Sequence, residues 1–273
     1  MILDALEQAV IAANSKQIEP CDYYGEDGLL YCGRCGTPKE CRPVHGAAFG
    51  IEKVRCLCKC EDERQKAESR RLSRQARLDE IRSEAFTNAR MYEYTFDADD
   101  GTNHILSTVA RNFVDKFDTF KAMHKGLLFY GGVGTGKSFA AACIVNALTY
   151  KGIRARFTNF SEIESERREN EDAVRRLNRY DLLVLDDFAT ERDTSYMNEI
   201  VFAVIDARIQ SGLPMVVTTN LTADELKKCV DPDKAKVISR LLGACEPIEV
   251  KGEDRRRKQL RTDHADVKKL FGI

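Results

Sequence analysis

The chain has 273 residues, of which 43% are hydrophobic and 32% charged, and its formal net charge is −1. That length supports one sizeable core with a small appendage, and the near-neutral charge excludes binding of nucleic acid through a global field, leaving only local patches. No apolar run approaches the roughly 18 residues needed to cross a bilayer, so no membrane partner is expected.

In chain order, the first stretch is MILDALEQAVIAANSKQ, with Leu3, Leu6 and Val10 on one face of a short helix. It lacks a basic start and a long apolar run, so it does not read as a signal peptide, and a cytoplasmic location is expected. Ten cysteines follow, seven of them between Cys21 and Cys60. Without a secretion signal, such a cluster points to a metal site rather than a disulfide framework. YCGRCGTPKECRPVHG offers Cys32 and Cys35, and VRCLCKCED offers Cys56, Cys58 and Cys60. Two such knuckles about 20 residues apart match a zinc ribbon, with four thiolates around Zn²⁺. The candidate ligands are Cys32, Cys35, Cys58 and Cys60. Cys56 is an alternative to Cys58, and Cys21, Cys41 and His45 are weaker choices. We take residues 1–60 as this Cys-rich, zinc-binding domain.

Residues 61–99 read as a charged linker helix. In EDERQKAESRRLSRQARLDEIRSEAF, only Leu72, Leu78, Ile81 and Phe86 form a thin apolar stripe. From residue 100 to 273 short apolar runs alternate with helical patterns. Strands are expected at GLLFYG (126–131), RARFTN (154–159), DLLVLDD (181–187), PMVVTTN (214–220) and PIEVKG (247–252). Runs apolar on both faces imply an α/β domain whose five-stranded parallel sheet lies between helices. Helices are expected in KSFAAACIVNALTYKG, closing at Gly152, and in TSYMNEIVFAVIDARIQSG, closing at Gly212. Phe113, Phe117 and Phe120, at helical spacing, read as core.

GGVGTGKS, residues Gly131 to Ser138, matches the phosphate-binding pattern G-x-x-x-x-G-K-[ST], with a strand before it and a helix after. Gly131, Gly132, Val133, Gly134, Thr135 and Gly136 would wrap a phosphate with backbone N–H groups at a helix N-terminus. Lys137 would reach the β- and γ-phosphates, and Ser138 would ligate Mg²⁺. DLLVLDDF ends its apolar run in Asp186 and Asp187. Asp186 is assigned to the Mg²⁺ shell, and Asp187 to orienting and deprotonating the attacking water. VVTTN ends in Asn220, an amide placed to position that water.

The order GGVGTGKS, LLVLDDF, VVTTNL, VISRLL, VKGEDRRR resembles the DnaC/DnaI family of AAA+ helicase loaders and its relative IstB, a transposition ATPase. The Cys-rich part is similar to the zinc-binding front end of DnaI-type and phage loaders. The resemblance maps Walker A, Walker B and sensor 1 onto Gly131–Ser138, Asp186–Asp187 and Asn220. It makes Arg240 in VISRLL an arginine finger that acts on the ATP of a neighbouring subunit, and so implies self-assembly. Sensor 2 falls on Arg256 in GEDRR, with Arg255 and Arg257 as other registers. The resemblance also favours the C-x-C of Cys58 and Cys60, just before the charged helix. It implies an Mg²⁺-dependent ATPase that loads a DnaB-type replicative helicase onto single-stranded DNA. Two departures stand out. Against the broader AAA+ pattern, Asp187 replaces the usual Glu, which suits slow turnover, and only the 17 residues after Arg256 remain, so no separate helical lid is expected, a feature that loaders of this type are similar in lacking.

For DNA contact, the sequence offers the basic tail Lys251, Arg255, Arg256, Arg257, Lys258 and Arg261 and the linker arginines Arg70, Arg71, Arg74 and Arg77. Acids interleave the latter, which read as solvated surface. The alternatives are an IstB-type transposition ATPase and a nucleotide-dependent adaptor that does not hydrolyse.

Overall fold

The computed structural model describes residues 18–44, 50–190, 194–255 and 271. The expected helix of Leu3, Leu6 and Val10 lies outside them, as do His45, Arg256, Arg257, Lys258 and Arg261. The chain divides into two compact units, Met1–Ala76 and Arg77–Ile273.

In the first unit, β1 (Tyr23–Tyr24) and β2 (Leu30–Tyr31) form one antiparallel pair, and β3 (Glu40–Cys41) and β4 (Val54–Arg55) form another. Two-residue strands make almost no core. Leu30, Cys32 and Cys58 are the buried apolar residues among the described part of this unit. A fold this small needs a cross-link or a metal to be stable.

Helix α1 (Lys59–Ser83) begins within the cysteine cluster and continues into the second unit. It differs from the linker helix expected over 61–99. It starts at Lys59, because Cys58 opens its first turn, with the N–H groups of Glu61 and Asp62 donating to the Cys58 carbonyl. It stops at Ser83, because the chain then turns inward. Ala85 and Phe86 are buried, and the Ala85 carbonyl accepts from the Phe157 N–H at 2.8 Å. The apolar stripe is thinner than expected: Ile81 is buried but Leu72 is 57% exposed. A short 3₁₀ turn follows at Ala89–Glu93.

The second unit continues with α2 (His104–Asp115), α3 (Phe117–Ala122), β5 (Gly126–Tyr130), α4 (Lys137–Tyr150), β6 (Ala155–Asn159) and α5 (Phe160–Glu169). Next come α6 (Ala173–Arg176), β7 (Leu182–Phe188), α7 (Ser195–Gln210), β8 (Met215–Thr219), α8 (Ala223–Lys227), α9 (Pro232–Ala244) and β9 (Cys245–Glu249). Among the described residues, five parallel strands form one sheet in the order β6-β7-β8-β5-β9. Successive strand side chains point to opposite faces. Thus Phe129, Val184 and Val216 pack with Phe113, Ile144 and Leu148 on one side. Leu128, Leu183, Leu185 and Val217 pack with Ile200, Ile205 and Leu241 on the other. Both faces are covered, so the inner strands β5, β7 and β8 read as largely continuous apolar runs. Phe113 and Phe117 are buried, as a core role requires. No described helix is long and apolar enough to cross a membrane.

One strand is displaced from its expected position. It lies at Cys245–Glu249 rather than 247–252. β9 pairs residue by residue with β5, from Gly126↔Cys245 to Tyr130↔Glu249, so its partner sets its extent. As an edge strand with exposed Glu246 and Pro247, it carries too weak an apolar pattern to mark its own start.

Behind the sheet, Arg208 of α7 is fully buried, and its guanidinium donates to the carbonyls of Leu177, Tyr180, Asp181 and Pro214. Burial lowers its pKa to about 10, against the opposing pull of Asp181, so it stays charged at neutral pH. Arg208→Met removes the guanidinium donors from all four carbonyls, of which Leu177 and Pro214 keep only a long backbone bond, from the Tyr180 N–H at 3.3 Å and the Leu183 N–H at 3.5 Å. It should cost at least about 3 kcal/mol in urea unfolding; a loss under about 1 kcal/mol would refute this role.

Candidate functional site: a phosphate cradle and a tetrathiol cluster

The segment between β5 and α4 is held by glycines where the backbone needs them. Gly131 and Gly136 have φ of 126° and 97°, a region that favours glycine. Lys137 then opens α4 and is 5% exposed. Its Nζ donates to the carbonyls of Gly131 (2.9 Å) and Gly132 (2.7 Å) and to Oδ1 of Asn220 (2.9 Å). A buried ammonium folded back onto its own loop is poised to exchange these acceptors for phosphate oxygens. A cavity of about 360 Å³ opens here, lined by Tyr94, Val133–Phe139, Asp187, Asn220 and Arg255.

The parallel sheet brings the acids and the amide to this loop, because β8 lies beside β5 and β7 beside β8, all three running in the same direction. The register between β7 and β8 shifts between Leu185 and Phe188. Such a bulge re-aims side chains. Asp187 sits there at φ 57°, rare for a residue with a side chain. Thr218, fully buried at the end of β8, organises the bulge. Its hydroxyl donates to Oδ1 of Asp186 at 2.6 Å and accepts the Asp187 N–H at 2.9 Å. Asn220 Nδ2 donates to Oδ1 of Asp187 at 3.3 Å. Burial raises the Asp186 pKa, and the charge of Asp187 adds to that. Hydrogen bonds from Thr218 and Ser138 and the charge of Lys137 oppose it. A carboxylate disfavoured by burial but fed by hydroxyl donors suits a cation. Ser138 and Asp186 are thus the oxygen donors available to Mg²⁺.

Of the three consecutive arginines, Arg255 lines the cavity. Its N–H donates to the Gly134 carbonyl at 3.0 Å, and its guanidinium lies 3.2 Å from Asp100. Arg240 is not brought into this cavity. On α9 it pairs with Asp206 of α7 and lies 4.7 Å over the Phe202 ring. Sequence reasoning missed Thr218, although two threonines ending an otherwise apolar strand were a usable signal. It also missed Tyr94, for which no local pattern exists.

In the first unit, the sulfurs of Cys32, Cys35, Cys58 and Cys60 all lie within 4.8 Å of one another. Cys58 to Cys60 is 3.4 Å and Cys32 to Cys60 is 3.6 Å. A tetrahedron with Zn–S bonds of about 2.3 Å has sulfur–sulfur edges of about 3.8 Å, so the donor set fits zinc. Cys56 lies outside this group; its Sγ points to the Pro38 carbonyl. The Cys35 thiol is drawn down to about 5, first by its hydrogen bond with the Thr37 hydroxyl. Cys60 is pushed up to about 12 by the neighbouring sulfurs of Cys58, Cys32 and Cys35. Four thiols this close cannot all ionise alone, and a divalent cation removes that conflict. Lys39, buried and paired with Asp22 at 2.6 Å, lines the same recess and adds positive charge.

The replicative helicase loader DnaI of Bacillus subtilis is 23% identical over 253 residues, covering 82% of this chain and 78% of DnaI. A protein named as an insertion sequence ATP-binding protein of Sinorhizobium fredii is 31% identical over 150 residues. That match covers 52% of this chain, which spans only half of the relative. In fold, the chain resembles the crystal structure of the DnaC helicase loader, with TM-score 0.52 and 22% identity over 60% of this chain and all of that one. The family model described as IstB-like ATP binding protein matches residues 52–263. With its phosphate loop, acid-tipped strand and sheet order accounted for, this chain belongs to the family of IstB-like ATP binding proteins.

Proposed function

We propose that the protein is an ATP-dependent loader of a DnaB-type replicative helicase, switched by Mg²⁺-ATP binding and hydrolysis. The observation that carries this reading is the similarity to the DnaI loader. It runs through 82% of the chain, longer than the unit Arg77–Ile273 alone, and so extends into the Cys-rich part. In this reading the loop amides, Lys137 and Ser138 bind the phosphates, and Asp186 with Ser138 holds Mg²⁺. Asp187 takes the proton of the attacking water, and Asn220, bonded to both Asp187 and Lys137, holds that water in line. The metal supplies charge neutralisation at the phosphates. Arg240, exposed on α9 and outside its own cavity, is the residue proposed to serve the ATP of a neighbouring copy, a reading its exposure supports. Arg255 lines the cavity, and Arg256 remains the family-implied sensor.

The domain assignment we propose keeps residues 1–60 as the helicase-contacting, zinc-binding part, 61–99 as connector and 100–273 as the ATPase. Metal analysis of the purified protein should find about one zinc per chain. Cys32→Ser should abolish it, and a metal-free wild-type protein would end the zinc assignment. Single-stranded DNA is the proposed track for the loaded ring, contacted by the basic tail.

The test of the loading function is co-purification with a replicative helicase, with and without ATP. ATP-dependent retention is expected. If no helicase is retained in either condition, the loader reading fails. A second reading, an ATPase serving a transposase, is favoured by the insertion-sequence relative and the family's own description. Retention of a transposase instead of a helicase would establish it.

A further inference from the structure

Asn146 lies on α4 and is 2% exposed. Its Nδ2 spends both hydrogens on the main chain before the domain, donating to the carbonyls of Met91 and Tyr94 at 2.8 Å each. Its Oδ1 is buried without a hydrogen-bond partner. Burying an amide with one end unsatisfied is unfavourable, so an apolar residue would pack here at lower cost unless the two donated bonds matter. What they hold is the turn carrying Tyr94. Its ring meets that of Phe139 at 5.2 Å with planes at 43°, and both rings line the cavity beside Gly134–Ser138. An aromatic pair at the edge of a phosphate cradle offers a flat apolar face of the kind on which a nucleobase stacks.

We propose that Asn146 is a positioning residue that holds Tyr94 as the wall against which the base of the nucleotide rests. It therefore sets affinity for the whole nucleotide and not for its phosphate chain. This rests on the reading of the cavity as the ATP site. The phosphates are gripped by the loop and Lys137, which Asn146 does not touch. Loss of Asn146 frees the Tyr94 turn and removes the stacking face while leaving the cradle intact.

The experiment compares Mg²⁺-ATP with inorganic triphosphate on the full chain, each displacing a fluorescent ATP analogue. Asn146→Ala should weaken ATP about tenfold and inorganic triphosphate less than about twofold. Tyr94→Leu should give the same pattern, and Tyr94→Phe should restore wild-type ATP affinity because the ring face is kept. The double variant Asn146→Ala/Tyr94→Leu should be no weaker than the poorer single variant, since both remove one wall. Equal weakening of ATP and inorganic triphosphate, or unchanged ATP affinity in either single variant, overturns the proposal. If Asn146→Ala does not fold, the half-exposed Tyr94→Leu decides alone. Lys137→Ala separates the two layers of argument. If it leaves both ligands bound, the phosphate-site reading has failed, not merely its base wall.

Discussion

Replacing Lys137 by alanine should reduce ATP turnover by at least about 10²-fold, with nucleotide binding weakened alongside. The ammonium is 5% exposed and held by three acceptors, two of them carbonyls of the loop it must serve and one the Asn220 amide. No other described cation lining the cavity occupies that place, since Arg255 is tied to Asp100 and to the loop at Gly134. Removing the lysine therefore takes away the charge proposed to meet the terminal phosphates and releases Asn220 together. Fold should survive, because the side chain borders a cavity and its ammonium donates to the loop and to Asn220. Turnover by purified Lys137→Ala within about threefold of wild type would remove the basis for the phosphate site.

Asp186→Asn should abolish Mg²⁺-dependent hydrolysis and yet stabilise the nucleotide-free protein. The sign follows from the carboxyl's environment. Burial, aided by the charge of Asp187, raises the Asp186 pKa above its unfolded value despite hydrogen bonds from Thr218 and Ser138. A group raised in this way contributes its stability fully below the unfolded pKa, near 3.9, and loses it as pH rises through the folded value. At neutral pH the folded state carries a penalised charge that asparagine does not. The asparagine oxygen still accepts from Thr218. A gain of about 1 kcal/mol would raise Tm by about 2–4 °C at pH 7–8 for a unit of this size, shrinking as pH falls toward about 4. Thermal melts of both proteins across that range check the sign. A variant less stable than wild type at pH 8 and more stable at pH 4 would reverse the assignment of a penalised carboxylate.

How far the sequence reached differs element by element. The strands at 126–130, 182–188 and 215–219 were legible because each carries a run of three or more apolar residues, and that at 155–159 because Ala155 and Phe157 alternate with polar side chains. The edge strand at 245–249 was not placed correctly, because half of it faces solvent and only its pairing with β5 defines it. The charged helix was visible as a helix but not its ends. One depends on Cys58 and the other on Phe86 turning into the core against Phe157 at 5.8 Å.

The sequence by itself determined the glycine-rich turn between β5 and α4 and the lysine that opens the helix, since the pattern proposed to wrap a phosphate is contiguous and contiguous demands are written locally. It likewise determined the parallel α/β plan, because buried strands and the helices between them leave periodic apolar runs. Only the tertiary structure decided that Thr218 links Asp186 to the Asp187 backbone through a bulge, and that Arg255 borders the cradle. It alone brought the Cys58 sulfur, rather than that of Cys56, together with Cys32, Cys35 and Cys60. It also seated Tyr94 beside Phe139 through Asn146. Each of these depends on where segments distant in sequence meet, and the first also on the register shift between β7 and β8; such distances are set by tertiary packing rather than by any run of neighbouring residues.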